Sequence, residues 1–405
     1  MSNIKQLEIK QISGGVIVPK GFKASGVACN IKQSGNKDIA VVVSEKVAIA
    51  AAVFTTNKMA AAPVHLSKNH IANGKVQAVV INSGNANACT GRQGYRDAEK
   101  MAEVAGLAIG INPKDIIISS TGIIGVPMPI QKVEEGIKMA VGRLPKGTGT
   151  DAAEAIMTTD TFSKEYAIAF ELDSQEVRIG GMAKGSGMIA PNMATMLAVI
   201  TTDALVTLGA LDSSLKAAVN KSFNSITVDG DTSTNDMVVL LANGESGARV
   251  TTGNAGVFQE ALNQVCMELA KLIVRDGEGA TKFIEVEVIG AVGDTDAKKA
   301  AMAIANSNLV KTAFFGQDAN WGRIVAAVGY SSADIDPARV DIYFGGEKLV
   351  ENGCVVAHDA AKVNEAIKSN DIEVKVDLKL GDGSARMWTC DLSYDYVRIN
   401  AEYHT

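Results

Sequence analysis

Short aliphatic and β-branched runs at residues 39–43, 47–54 and 76–81, each bounded by charged, Asn or Gly positions, read as buried strands. Two stretches then change period. Residues 95–108 and 130–144 show helical spacing, and in the second Ile130, Val133, Ile137 and Val141 recur at intervals of three, four and four, the stripe of an amphipathic covering helix. Beyond residue 195 the pattern predicts a strand at 196–200, a helix at 208–223, a strand at 237–241 and a long helix at 257–274, with Phe258, Leu262, Val265, Leu269 and Leu272 on one face. From Arg323 onward apolar and polar positions alternate, most clearly at Ile372, Val374, Val376, Leu378 and Leu380, as in half-solvated antiparallel strands. Strands and helices do not alternate regularly, which favours an α+β arrangement of helices covering packed sheets over a doubly wound parallel sheet. Modest boundaries fall at 144–151 and 279–282, and there is no internal repeat.

A chain of 405 residues is longer than one hydrophobic core usually supports, so two or three packed lobes are expected. Lys and Arg number 39 against 45 Asp and Glu, a net charge of −6 that offers no general attraction to phosphate backbones and argues against a nucleic-acid partner. Five scattered cysteines without a Cys-x-x-Cys pair fit a reducing compartment. The first residues lack the apolar core of a secretory leader, and the most apolar window, residues 188–211, is broken by Pro191, Asn192, Thr201, Thr202 and Asp203. A cytoplasmic protein without a membrane span is the expectation.

Several familiar signatures fail. No Gly-x4-Gly-Lys-Ser/Thr run serves a nucleotide; DGDTSTND (229–236) has Thr234 and Leu240 where a calcium loop needs Gly and Glu, and reads as a capped turn; the four histidines form no His-Glu-x-x-His helix. No metal and no cofactor is expected. Three segments remain. In KGSGMIAPNMATML (184–197) a Gly-rich polar approach meets a strand through Ala194 and Thr195. A threonine hydroxyl is a poor nucleophile without a base, and one solution is to free its own α-amine by breaking the preceding peptide bond; by spacing alone the segment is simply a β-branched residue entering a strand. Ser119, Ser120, Thr121 and Gly122 follow an apolar run, where hydroxyl and N–H donors can be aimed at one point as an oxyanion hole requires, or can cap a turn. Asn-rich patches at 80–91, 222–236 and 304–323 read as pocket lining.

Taken in order, FTTNKMAAAPV (54–64), INSGNANACTG (81–91), SSTGIIG (119–125), IMTTDT (156–161), KGSGMIAPNMATML (184–197), SFNSITVDGDTSTND (222–236), RDGEGATKF (275–283), ANWGR (319–323) and YVRINAEYHT (396–405) resemble the ornithine acetyltransferase family, also called the glutamate N-acetyltransferases, over nearly the whole chain. The resemblance implies a helix/sheet/sheet/helix sandwich similar to N-terminal-nucleophile hydrolases but differently connected. It implies self-cleavage between Ala194 and Thr195 into an α chain of 1–194 and a β chain of 195–405, paired as α2β2. It implies acetyl transfer from N2-acetyl-L-ornithine to L-glutamate through Thr195, an oxyanion held by Thr121 and Gly122, and substrate contacts from Thr158, Lys184, Thr195, Glu278, Asn400 and Thr405. Thr159 competes with Thr158 for its role, and acetyl-coenzyme A is left open as a second donor. Two other readings stand beside this one: an aminopeptidase or amidase on the same scaffold with water as acceptor, and a metabolite-binding protein that has lost the chemistry.

Overall fold

The apolar runs close into two sheets in the computed structural model of the chain, which describes residues 9–190 and 196–402. The first sheet holds nine described strands, β1 (Lys10–Ile12), β2 (Phe22–Val27), β3 (Ile39–Phe54), β4 (Lys75–Asn85), β5 (Ile116–Ile123), β6 (Lys164–Leu172), β7 (Gln175–Lys184), β8 (Leu197–Thr202) and β9 (Met237–Ala242). Helices α1 (Ala62–His70), α2 (Gly91–Ile109), α3 (Ile130–Arg143), α4 (Gly149–Ala155), α5 (Leu208–Lys221) and α6 (Ala255–Arg275) pack on it. The second sheet holds β10 (Phe283–Ala291), β11 (Asp341–Phe344), β12 (Glu347–Glu351), β13 (Cys354–Val355), β14 (Asp371–Asp377) and β15 (Gly383–Cys390). With it go α7 (Asp294–Ala305), α8 (Asn308–Phe315), α9 (Trp321–Gly329), α10 (Ala360–Lys368) and α11 (Tyr394–Glu402).

The two runs read from the sequence as separate strands at 39–43 and 47–54 are one strand, β3, with a bend inside it. Val43 pairs with Ala78 and Ala48 with Val76, so four residues of β3 stand against one of β4. Ser44, Glu45, Lys46 and Val47 occupy this irregularity, which lets the strand turn. Its first half pairs with β2 and its second half with β9, so the nine strands fold into two layers joined by one bent strand. Between them lies a shared core of Leu197, Val199 and Val239 from one layer and Val42, Val79 and Ile117 from the other. The alternate residues point outward. Ala198, Ile200 and Leu240 meet Phe258, Leu262 and Leu269 of α6 and Leu211 of α5, while Val41, Val80 and Ile118 meet Met101 of α2 and Val133 and Ile137 of α3. Period-two alternation with both faces buried thus yields the helix/sheet/sheet/helix sandwich.

The expected boundary at 279–282 falls where the chain leaves α6 for β10 and the second sheet, whereas 144–151 only links α3 to α4 inside the sandwich. The tail differs from a purely antiparallel run. Residues from Trp321 to Gly329 form α9, capped by the Asn320 side chain, and β14 lies parallel to β10 while antiparallel to β11. Ile372, Val374 and Val376 face a core with Ile304 and Ile324, and Glu285, Glu287 and Lys375 lie on the other face of the sheet. Gly345 and Gly346, at φ 55° and 83°, supply the left-handed pair that the tight β11–β12 hairpin requires. Among the described residues no helix is long and apolar enough to cross a membrane.

Candidate active site

The end of β7 and the starts of β8 and β9 meet at one edge of the sandwich: Lys184 stands opposite Leu197, and Leu197 opposite Met237. Ala194 and Thr195, which with Met196 lead into β8, lie outside the described residues, as does Thr405. Met196 is described, and its N–H donates to Oδ1 of Asp236 at 3.0 Å. Asp236 is fully buried and its Oδ2 has no hydrogen-bond partner among the described residues. Burial strips its carboxyl of water and pushes its pKa well above the ordinary value, against the pull of the Met196 N–H and the Lys184 ammonium.

On one side of this junction is a wall of neutral donors. Thr121 and Gly122 end β5, which runs parallel to β4 with Ser83 opposite Thr121 and Gly84 opposite Gly122. Gly122 has φ +130°, and a Cβ there would fall about 2.4 Å from the Gly84 carbonyl carbon, so only glycine permits this approach of two backbones. Amides fix the loop. The Asn235 Nδ2 donates to the carbonyls of Ser120 at 2.8 Å and Ala86 at 2.6 Å, Ser120 Oγ donates to Asn82 Oδ1 at 2.5 Å, and Asn82 Nδ2 donates to the Asn85 carbonyl at 2.9 Å. Two of the Asn-rich patches are therefore buttresses of the Thr121–Gly122 loop, because a buried amide satisfies two backbone carbonyls that a strand end leaves open. The third lies elsewhere: Asn306 accepts from Thr227, and Ser307 and Asn320 cap α8 and α9.

On the other side is a buried ionic network. Lys184, at the end of β7, donates to Thr158 Oγ1 at 2.7 Å and lies 3.8 Å from Asp160 Oδ2. Of the two adjacent threonines, Thr158 is the one bonded to Lys184. Asp160 accepts from the Gly185 N–H at 2.7 Å and from Lys164 Nζ at 2.7 Å, and Lys164 reaches Asp276 at 2.5 Å. Lys164, Asp160 and Asp276 are all buried. Burial alone would raise the Asp160 pKa, but the ammonium groups of Lys184 and Lys164 outweigh it and hold the carboxyl well below the usual range. Burial also lowers the pKa of Lys184.

Glu278 completes this side: its N–H donates to the Ser186 carbonyl at 2.9 Å and its carboxylate accepts from Asn400 Nδ2 at 2.8 Å. A Cβ on Gly187 would come within about 2.4 Å of that carboxylate, so Glu278 packs directly on the approach to the junction. Asn400 belongs to α11, which is pinned by Ser393 Oγ donating to the Gly279 carbonyl at 2.6 Å and by Tyr396 O–H reaching Asp229 at 3.3 Å. Asp229 in turn accepts from the N–H groups of Met188 and Ile189, and Met188 is held at φ +57°. The turn read from DGDTSTND thus clamps the approach to residues 191–195 from its first aspartate and the start of β8 from its last.

A neutral donor loop, through Asn235 and Asp236, and a charged pocket, through Lys184, both adjoin Met196 and the start of β8, so fixed N–H and hydroxyl donors stand near buried ionic groups. A model of the ArgJ family matches residues 23–405. The chain belongs to the ArgJ family. It is 52% identical over 399 residues to the arginine biosynthesis bifunctional protein ArgJ of Symbiobacterium thermophilum, covering 97% of this chain and 99% of that protein. It is 49% identical to the glutamate N-acetyltransferase of Methanocaldococcus jannaschii, covering 98% and 100%. Among solved structures, the ornithine acetyltransferase of Mycobacterium tuberculosis complexed with ornithine is 38% identical, with a TM-score of 0.43 over 45% of this chain and 98% of that one. The protein is thus an enzyme of a family whose named members serve arginine biosynthesis.

Of the residues expected from sequence, Thr121 and Gly122 fall on the neutral side, and Thr158, Lys184, Glu278 and Asn400 on the charged side. Sequence reasoning missed Asn235 and Asp236 as supports and Asp160, Lys164 and Asp276 as an ionic triad. Asp160 and Asp276 lie inside motifs noted for other residues, and Lys164 carries no local signal at all.

Proposed function

We propose that the protein moves an acetyl group from N2-acetyl-L-ornithine to L-glutamate by double displacement on Thr195, after cutting itself between Ala194 and Thr195 into chains of 1–194 and 195–405. The Thr195 Oγ attacks the amide carbonyl, the freed α-amine takes the hydroxyl proton and returns it to the leaving ornithine amine, and the acetyl ester is then attacked by the amine of glutamate. Thr121 through its hydroxyl and Gly122 through its N–H hold the oxyanion. Glu278 with Asn400 receives the ornithine ammonium, and Lys184 with Thr158 receives a carboxylate. Thr405 is a further contact.

The observation that carries this reading is the hydrogen bond from Met196 N–H to Asp236. It fixes the residue after Thr195 one position along the chain from Asn235, the amide that holds the Ser120 carbonyl beside Thr121. The two chains stay associated and pair as α2β2 in the cytosol, and acetyl-coenzyme A is a candidate second donor. Purified wild type should give two masses, with the smaller-numbered fragment ending at Ala194 and the other beginning at Thr195, while Thr195→Ala stays whole and inactive. The β fragment should gain one acetyl mass with N2-acetylornithine alone and lose it when glutamate is added. An uncut chain with full activity would overturn the mechanism, and acetate released at the same rate without glutamate would make the enzyme a hydrolase.

A further inference from the structure

We infer that Lys32 receives the side-chain carboxylate of the acceptor amino acid and so selects an acidic acceptor over its neutral analogue; this rests on the acetyl-transfer reading above. Lys32 belongs to the segment between β2 and β3, which wraps around the buried carboxylate of Asp38. Cys29 and Ile31 donate their N–H groups to that carboxylate at 2.7 Å each, and Lys32 donates its own at 3.2 Å. The wrap leaves the Lys32 stem against the donor loop. A Cβ on Gly84 would lie 3.1 Å from Lys32 Cγ, and Gly84 is the residue opposite Gly122. The Lys32 stem therefore packs beside the donor loop, and its ammonium is near enough to Lys184 and Asp160 for both to act on its charge.

The ammonium of Lys32 is half-buried and donates to the Lys37 carbonyl at 2.6 Å; among the described residues no carboxylate lies within ion-pair distance of it. Burial lowers its pKa to about 8, Lys184 depresses it further, and Asp38 and Asp160 oppose the shift. Lys184 is already engaged with Thr158 and Asp160, and Lys164 with Asp160 and Asp276. Lys32 is thus a cation of the site with no directly paired carboxylate among the described residues, and a partly desolvated ammonium of this kind gains from an incoming anion. The donor brings a cationic side chain, which two neighbouring ammonium groups repel. An acidic acceptor brings a second carboxylate, which they attract. One site can then release ornithine, whose ammonium faces Glu278, and hold glutamate, whose side-chain carboxylate faces Lys32, without moving the acyl carbon.

The test uses the self-processed enzyme with Lys32→Met, which keeps the stem and removes the charge, and Lys32→Arg, which restores it. Three rates are read: exchange of labelled ornithine into N2-acetylornithine without acceptor, and kcat/KM for glutamate and for glutamine as acceptors. Loss of one charge-assisted contact should lower kcat/KM for glutamate about 10- to 100-fold. The glutamine rate should stay within about twofold, ornithine exchange should hold or rise because a repelling charge is gone, and Lys32→Arg should recover most of the glutamate preference. An unchanged glutamate-to-glutamine ratio, or an equal loss in ornithine exchange, would overturn the assignment, the second because it would make Lys32 a contact for the α-carboxylate common to both substrates. A wild type that acetylates neither acceptor breaks the acetyl-transfer reading itself, whereas normal transfer with unaltered preference in Lys32→Met breaks this inference alone.

Discussion

The neutral and charged sides of the site solve different physical problems. In the proposed mechanism Thr121 and Gly122 have nothing to bind until the oxyanion forms, so the donors must already be in place, and the fold holds them with amide-to-carbonyl bonds from Asn235 and Asn82 that carry no net charge. In the same proposal the substrate brings its charges to Lys184 and Glu278 in the ground state, so the pocket needs ions of its own, and those ions must balance one another before substrate arrives. The contrast teaches that damage to the two sides should show up in different measurements: turnover for the neutral side, folding and affinity for the charged one.

The largest expected effect comes from the centre of the ionic triad. Lys164→Met replaces a buried cation by an apolar chain of similar length and leaves Asp160 and Asp276 without it. Stability measured by denaturant unfolding should fall by about 3–5 kcal/mol. A loss below about 1 kcal/mol would mean that the two carboxylates are satisfied by N–H donors alone and that the pocket does not depend on an ionic balance. Next comes the neutral side. Thr121→Ala should lower kcat roughly 100- to 1,000-fold with KM within about twofold, and should slow self-cleavage if one loop serves both reactions. A raised KM with normal kcat would make this loop a ground-state contact and erase the contrast.

How much of this could be read from the chain follows the same division. The strands and long helices were legible because their apolar periods are local: the stripe of Phe258, Leu262 and Leu269 marks α6, and Val79 and Val80 on β4 or Val199 and Ile200 on β8 already show runs that need cover on both faces. Local periodicity shows the bend only as a gap, residues 44–46, between two strands, since a bulge is defined by its partner, and β4 lies outside any local window. Donor-loop residues were legible as a hydroxyl-and-glycine cluster, but their supports were not, because Asn235 and Asn82 look like any turn residues until the carbonyls they bind are known. Lys164 is the clearest case. A lysine opening a strand reads as solvent-facing, and only the approach of Asp160 and Asp276 from separate segments makes its burial tolerable.

The smallest expected effect separates the two sides by the sign of their pH dependence. Asp160, beside two ammonium groups, has its folded pKa below the ordinary carboxylate value, so between those values the unfolded chain binds more protons; the stability it contributes is present above about pH 4 and lost as pH falls through the folded pKa. Asp236 is opposite. Burial raises its folded pKa, so above the ordinary value the folded chain binds more protons than the unfolded one, and stability declines as pH rises toward the folded pKa. Asp236→Asn keeps an oxygen for the Met196 N–H and cannot ionise. Across pH 5–8 the stability difference between wild type and Asp236→Asn should therefore move in favour of the variant as pH rises, by on the order of 1 kcal/mol for each pKa unit by which the folded value exceeds the ordinary one within that window. A difference that stays flat would show that Asp236 is fully ionised in the folded protein throughout this window, as Asp160 is, and would dissolve the distinction between the two sides.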